Sequence, residues 1–323
     1  MALCIPIAAV ALGVGAVAPL VGSALPAVLI GFLVATIRRP AASFTPGIRF
    51  SGSTLLQVAV VLLGTRLSLR DVVEVGTESL PVMLSTLTVC LLAALWIGRA
   101  LGVPGRLRTL IGVGTGICGG SAIAAVAPVI AATSGEIAYA ISTIFVFNVL
   151  GAVAFPLIGH ALGLDPHTFG LLAGTAINDT SSVVAAAGAF GASALGFAII
   201  VKLVRTLMIV PITLGLSILR AREGGEGAGS LLRRPHRLVP WFIVGFVLAV
   251  ALNSAGLVPP VAGEVCAAVS GVLIALALAG IGLSTDFAAI RSAGWKPLGL
   301  GAILSVLVAG TAVIALIATG RIG

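Results

Sequence analysis

Gly174-Thr175-Ala176-Ile177-Asn178-Asp179-Thr180-Ser181 stands in the middle of a long apolar stretch. Sixty residues earlier the chain reads Gly114-Thr115-Gly116-Ile117-Cys118-Gly119-Gly120-Ser121, with Gly, Thr, Ile and Ser in register. Both segments run on into alanine-rich sequence. Glycine clusters and an Asn-Asp-Thr-Ser run make poor helix interior and good helix ends. Each motif therefore marks a break inside a helix.

The surrounding composition says what kind of helix is broken. Of the 323 residues, 59% are hydrophobic and 9% charged, where soluble domains carry about 25% charge. Mean hydropathy is +1.24. An ordinary soluble enzyme and a disordered chain are excluded. A nucleic-acid binder is excluded too, because the +8 net charge is not gathered into a basic domain with aromatic partners. Long unbroken apolar runs argue against a β-barrel. The abundance of glycine, 42 residues, suits close helix packing in lipid. The expectation is an all-α polytopic membrane protein whose first partner is the lipid bilayer.

A crossing helix needs about 20 apolar residues. Eleven runs qualify, roughly 3–18, 20–37, 50–66, 79–98, 109–132, 136–160, 167–190, 193–219, 239–254, 260–283 and 298–318. The first three are short, so the expected count is 10–11 spans in one integral membrane domain over 1–323. No basic segment precedes the first run, which reads as a span rather than a cleaved signal. The hydrophilic stretch 220–238 reads as a cytoplasmic linker between spans 8 and 9. With the N-terminus inside, thirteen basic residues fall in inner loops and three, Arg66, Arg70 and Arg321, outside. That asymmetry fixes the orientation. It places His160 and His167 beside an inner loop, next to Asp165.

On this count the motifs break spans 5 and 7 at the bilayer midplane. Free backbone groups survive there only when buried in protein or lining a cavity. The N-terminus of each following half-helix suits an anion. Broken helices at midplane are the binding-site pattern of secondary transporters. A second echo, at an offset of 216, pairs Leu62, Gly64, Leu67, Ser68 and Pro81 with Leu278, Gly280, Leu283, Ser284 and Pro297. Seven spans apart, it looks like an inverted repeat. Spans 5 and 7, one span apart, should run parallel, so the two echoes do not combine into one scheme.

Charged residues inside spans are functional candidates. With a turn near 191, Asp179 lies twelve residues before it and Lys202 eleven after. At 1.5 Å per residue both sit about 17–18 Å deep. Arg205 shares a helix face with Lys202. One carboxylate against two cations leaves a positive charge for an anionic substrate, or an ion pair that staples spans 7 and 8. The same arithmetic around a turn near 134 brings Ser121 and Asn148 to one depth. Cys118 sits in the first break, as a small spacer or an activated thiol. Cys4, Cys90, Cys118 and Cys266 form no CxxC, and three histidines lack ligand spacing, so neither a metal nor a cofactor is expected.

These motifs give the chain a resemblance. Gly114 through Ile123, Phe169-Gly170, Gly174 through Ala186, Lys202-Leu203-Val204-Arg205 and Gly282-Leu283-Ser284-Thr285 resemble the YeiH-like family of bacterial inner-membrane proteins, often labelled sulfate exporters. The likeness runs over nearly the whole chain. It implies a fold like those of cation/proton antiporters and anion transporters, with discontinuous helices in a core domain beside a panel domain. It also implies transport of sulfate or a sulfonate-related anion across the cell inner membrane. Some members carry His-Glu where this chain has Asn178-Asp179, which alters the polar chemistry of the break.

The expected function is therefore alternating-access transport of a small anion coupled to H⁺ or Na⁺. Asp179 is the coupling group. Thr115, Gly116, Cys118, Gly119, Gly120, Ser121, Asn148, Thr175, Asn178, Thr180, Ser181, Ser182, Lys202 and Arg205 are the substrate-site candidates. The alternatives are a cation/proton antiporter using Asp179 and an anion channel. An enzyme is not expected. An aspartyl protease needs two deep carboxylates, and HExxH and P-loop motifs are absent. Small residues on many faces allow a homodimer without specifying one.

Overall fold

The computed structural model describes residues 1–17, 23–37, 40–222, 241–284 and 295–321. The described secondary structure is helical. α1 (Cys4–Val17) and α2 (Ala24–Ile37) are short and apolar. α3 (Ala42–Arg66) carries a π turn over Ser51–Leu55. α4 (Leu69–Ala100) begins with a capping box, Ser68 and Asp71 each satisfying the other's backbone N–H. α5 (Gly105–Gly116) and α6 (Gly120–Val126) flank the first break. α7 (Ser134–Ala161) starts with a second capping box, Thr133 and Glu136. α8 (Pro166–Ala176) and α9 (Thr180–Phe190) flank the second break. α10 (Ala192–Leu207) runs on through Met208 into α11 (Ile209–Arg222). α12 (Trp241–Ser254), α13 (Pro260–Leu283) and α14 (Trp295–Ala318) complete the chain.

Six of these rods are long and apolar enough to cross a membrane: α3, α4, α7, α10 with α11, α13 and α14. α1, α2, α9 and α12 are shorter apolar helices. The chain is thus membrane-integral. Most of the linker, 223–238, lies outside the described residues, as do Arg38, Arg39 and Arg291.

The helices form two groups. α1, α2, α3, α12 and α13 pack on one another, and α4 to α11 pack with α14. The groups meet where α9 touches α2 and α13, and where α12 touches α4.

Both breaks appear as expected, but the broken elements do not cross. Arg106, at the start of α5, lies within electrostatic reach of Glu136 in the first turn of α7. Arg220, near the end of α11, donates to the Ile130 carbonyl just beyond α6 at 3.4 Å. α5 and α6 therefore form a hairpin that returns to the end it left. At the other end, Phe190 closes α9 by stacking on His160 (4.4 Å) and Phe169 (3.8 Å). Gly170 packs on Ala194 to Ala198, and Gly174 on Ala198 and Val201, so α8 and α10 run parallel and α9 must run back. This is a second hairpin, from the opposite end. The loop with His160, Asp165 and His167 accordingly shares an end with Arg321, since Glu78 on α4 contacts both His167 (3.1 Å) and Arg321. That corrects the inner-loop placement. With α7 the one full rod between them, the two hairpins are inverted relative to each other, and the first echo becomes the inverted pair.

The second echo marks close contacts inside the smaller group. A Cβ on Gly64 would lie 2.9 Å from the Phe246 carbonyl oxygen of α12. One on Gly280 would lie 2.9 Å from the Ile48 carbonyl oxygen of α3. α13 also crosses α2 closely, where a Cβ on Gly282 would run into the Val28 carbonyl oxygen. Backbone cannot move aside as a side chain can. Gly282→Ala is expected to destabilise the protein by about 1–3 kcal/mol. The thermal midpoint in detergent checks this, and an unchanged midpoint would contradict the crossing.

Candidate functional site

Each hairpin tip needs a reason to leave the helix and a partner for its freed carbonyls. At the first tip Gly119 takes φ +69° and ψ −129°, a conformation open mainly to glycine. At the second, Asp179 is extended and caps α9, its Oδ2 accepting from the Ser181 N–H at 3.1 Å and from the Ser181 hydroxyl. The tips touch. A Cβ on Gly119 would lie 3.2 Å from the Asp179 Cβ. Gly119→Ala is expected to cost about 1–2 kcal/mol from the backbone alone. Its thermal midpoint should fall below that of Gly120→Ala, where a Cβ meets nothing within 4 Å.

The freed carbonyls are gathered by two fully buried cations of α10. Lys202 Nζ donates to the carbonyls of Ile117 (2.9 Å), Ile177 (2.8 Å) and Asn178 (2.7 Å). An ammonium has three donors, and all three are used. Arg205 donates from Nε to Gly116 O (2.8 Å) and from its terminal nitrogens to Thr115 O (3.0 Å), Thr175 O and Ile177 O (3.4 Å). Each cation spans both tips. The carbonyl ends of α5 and α8 carry the negative ends of their helix dipoles, which two positive charges offset.

The depth arithmetic for Asp179 and Lys202 holds, since Lys202 bonds the carbonyl of the neighbouring Asn178. An ion pair does not form. Among the described residues no salt bridge joins Asp179 to either cation. Asp179 faces the other way, into a cavity of about 150 Å³. One wall of the cavity is Ser121 from the first hairpin with Asp179, Thr180 and Ser181 from the second. The other wall is Gly52, Ser53, Leu56, Gln57 and Val60 of α3, with Phe242 of α12. The cavity thus lies between the two helix groups, and the N-termini of α6 and α9 sit on its wall. Ser53 is shared with a wider recess of about 720 Å³ along the first half of α3, where Arg49 is the charged residue.

The candidates separate into three sets. Ser121, Asp179, Thr180 and Ser181 line the cavity. Thr115, Gly116, Thr175 and Asn178 serve through their carbonyls, which Lys202 and Arg205 hold. Cys118, Ser182 and Asn148 are buried and outside the cavity lining, and Gly120 opens α6 without lining it. Two side-chain carbonyls, Asn148 Oδ1 and Asn178 Oδ1, are buried without a hydrogen-bond partner.

Sequence reading missed the α3 wall. Gln57 is the chain's single glutamine, set in an apolar run, and was the available signal. The π turn beside it has no sequence signature, though such turns are frequent at functional sites.

The comparisons agree that the chain is a membrane protein. The family model "Conserved hypothetical protein 698" matches residues 1–301. A UPF0324 membrane protein of Streptococcus agalactiae is 41% identical over 93% of this chain and 91% of its own length. Another, from Streptococcus pyogenes, is 42% identical over 95% and 92%. One from Fusobacterium nucleatum is 39% identical over 93% and 91%. No solved structure matches the chain. The chain belongs to this family of UPF0324 membrane proteins, the YeiH-like family.

Proposed function

We propose that the protein is a secondary transporter that carries a small anion by alternating access, with sulfate or a sulfonate-related anion as the first candidates. The observation that carries this reading is the cavity between the inverted hairpin tips and the α3–α12 wall. A site shared by two helix groups opens to alternate sides when one group moves against the other. The hydroxyls of Ser121 and Thr180 and the N-terminus of α9 supply donors to an anion. Lys202 and Arg205 stand behind the tips. They fix the geometry and lend positive potential without touching the cargo. Asp179 couples transport to H⁺ or Na⁺.

In this reading nine elements cross the bacterial inner membrane and the two hairpins re-enter it. The end bearing Arg99, Arg106, Arg220 and Lys296 is cytoplasmic, and so is the N-terminus. The protein is not an enzyme.

The test is flux in proteoliposomes holding the purified protein, with labelled sulfate and sulfite under imposed pH or Na⁺ gradients. Saturable, gradient-dependent anion flux is the expected result. One observation favours a second reading. The cavity is lined by a carboxylate while both cations are occupied elsewhere, which suits a cation/proton antiporter. Cation-driven proton movement without anion flux would select that reading.

A further inference from the structure

The wall opposite the hairpin tips holds a side chain whose orientation is chemically fixed. Trp241, at the start of α12, donates its indole N–H to Gln57 Oε1 at 2.9 Å. An indole nitrogen can only donate, so it must take the carbonyl end of the amide. The end left over is the NH₂ group, which only donates. That nitrogen has no acceptor among the described residues, and Gln57 lines the cavity. The α3 wall therefore offers the cavity two N–H donors. Gln57 shares the lining of this cavity of about 150 Å³ with Ser121, Thr180 and Ser181. Without Trp241, the amide could turn over and present its oxygen, which would suit a cation instead.

We propose that Gln57 is a substrate-contacting, specificity-determining residue for an oxyanion, and that Trp241 is the positioning residue that keeps its donor end towards the cargo. The inference rests on the anion reading above and adds the second wall of its site. The tips supply hydroxyls, which accept as readily as they donate, beside the N–H groups at the start of α9. Gln57 adds, from the opposite wall, a side-chain group that only donates, and so favours an oxyanion. Because the tips and Gln57 belong to different helix groups, the oxyanion is held from both sides only while these walls face each other.

The experiment is equilibrium binding of labelled sulfate and sulfite to the purified full-length protein in detergent. The variants are Gln57→Glu, Gln57→Ala, Trp241→Phe, the Gln57→Ala/Trp241→Phe double variant and Ser121→Ala. Gln57→Glu keeps an acceptor for the indole N–H but replaces the free NH₂ by a carboxylate oxygen. It should weaken oxyanion binding by about tenfold to a hundredfold, the loss of a hydrogen bond to a charged group. Trp241→Phe keeps the ring and removes the donor, and should weaken binding severalfold. In the Gln57→Ala background Trp241→Phe should add nothing, which a merely structural role for the indole would not predict. Size-exclusion profiles and thermal midpoints like wild type confirm that each variant is folded. Oxyanion binding that survives Gln57→Glu but falls in Ser121→Ala would overturn the role of Gln57 and leave the anion reading standing. Wild-type protein that binds neither oxyanion would overturn both.

Discussion

Replacing Lys202 by methionine is expected to prevent the protein from reaching a stable fold. Methionine fills much of the lysine's volume, and removing a buried charge is often harmless when its partners go too. Here the partners stay. The carbonyls of Ile117 and Asn178 would be left with no donor, and that of Ile177 with only the 3.4 Å contact from Arg205. Each buried group left unpaired costs about 1–3 kcal/mol. Two such losses and a weakened third reach roughly 2–9 kcal/mol, against a total stability of about 5–15 kcal/mol. The measurement is yield and monodispersity in detergent, with the thermal midpoint where protein survives. Arg205→Lys should fall between, because it keeps the charge but loses the fork that reaches Gly116, Thr175 and Thr115 together. A Lys202→Met protein with the wild-type midpoint would show that the clamp does not hold the tips.

Asp179→Asn should leave the fold intact and uncouple transport. Asparagine caps helices about as well as aspartate, so the Ser181 N–H keeps its acceptor and stability should change by about 1 kcal/mol or less. What goes is the charge on the cavity wall and its ability to take up a proton. In proteoliposomes, anion flux should persist but lose its dependence on the imposed pH or Na⁺ gradient. If the protein is instead an antiporter, the same variant should abolish cation-driven proton movement altogether. Gradient-driven anion flux unchanged in Asp179→Asn would remove Asp179 from coupling.

The breaks were legible because glycine clusters and Asn-Asp-Thr-Ser cannot sit in a helix interior. Where the chain goes after a break was not. Residues 109–132 read as a crossing span by length and apolar character, and hydropathy does not record a reversal. The reversal shows only in contacts such as Arg220 with Ile130 and Phe190 with His160. The charge asymmetry is insensitive to the two reversals because they cancel. Every basic loop beyond the hairpins keeps its side, and only the two loops at the ends of α7, near 133 and over 161–165, change ends. Asp179 could be singled out as the lone deep carboxylate. The work of Lys202 and Arg205 could not be read, since a cation in an apolar helix serves a substrate, an ion pair or backbone carbonyls equally well. Gln57 and Trp241 lie 184 residues apart, and nothing local announces their pairing.

The clamp has a consequence for tightness. One lysine and one arginine grip both tips at once, so neither hairpin can swing open alone. A state open to both sides would require tearing three hydrogen bonds at the first tip or four at the second in a dry interior, at about 1–3 kcal/mol each. The hairpins travel as one block or stay put. The bonds that hold the backbone together thereby also guard the cell against leak, and weakening them should surface first as slippage of ions down their gradients.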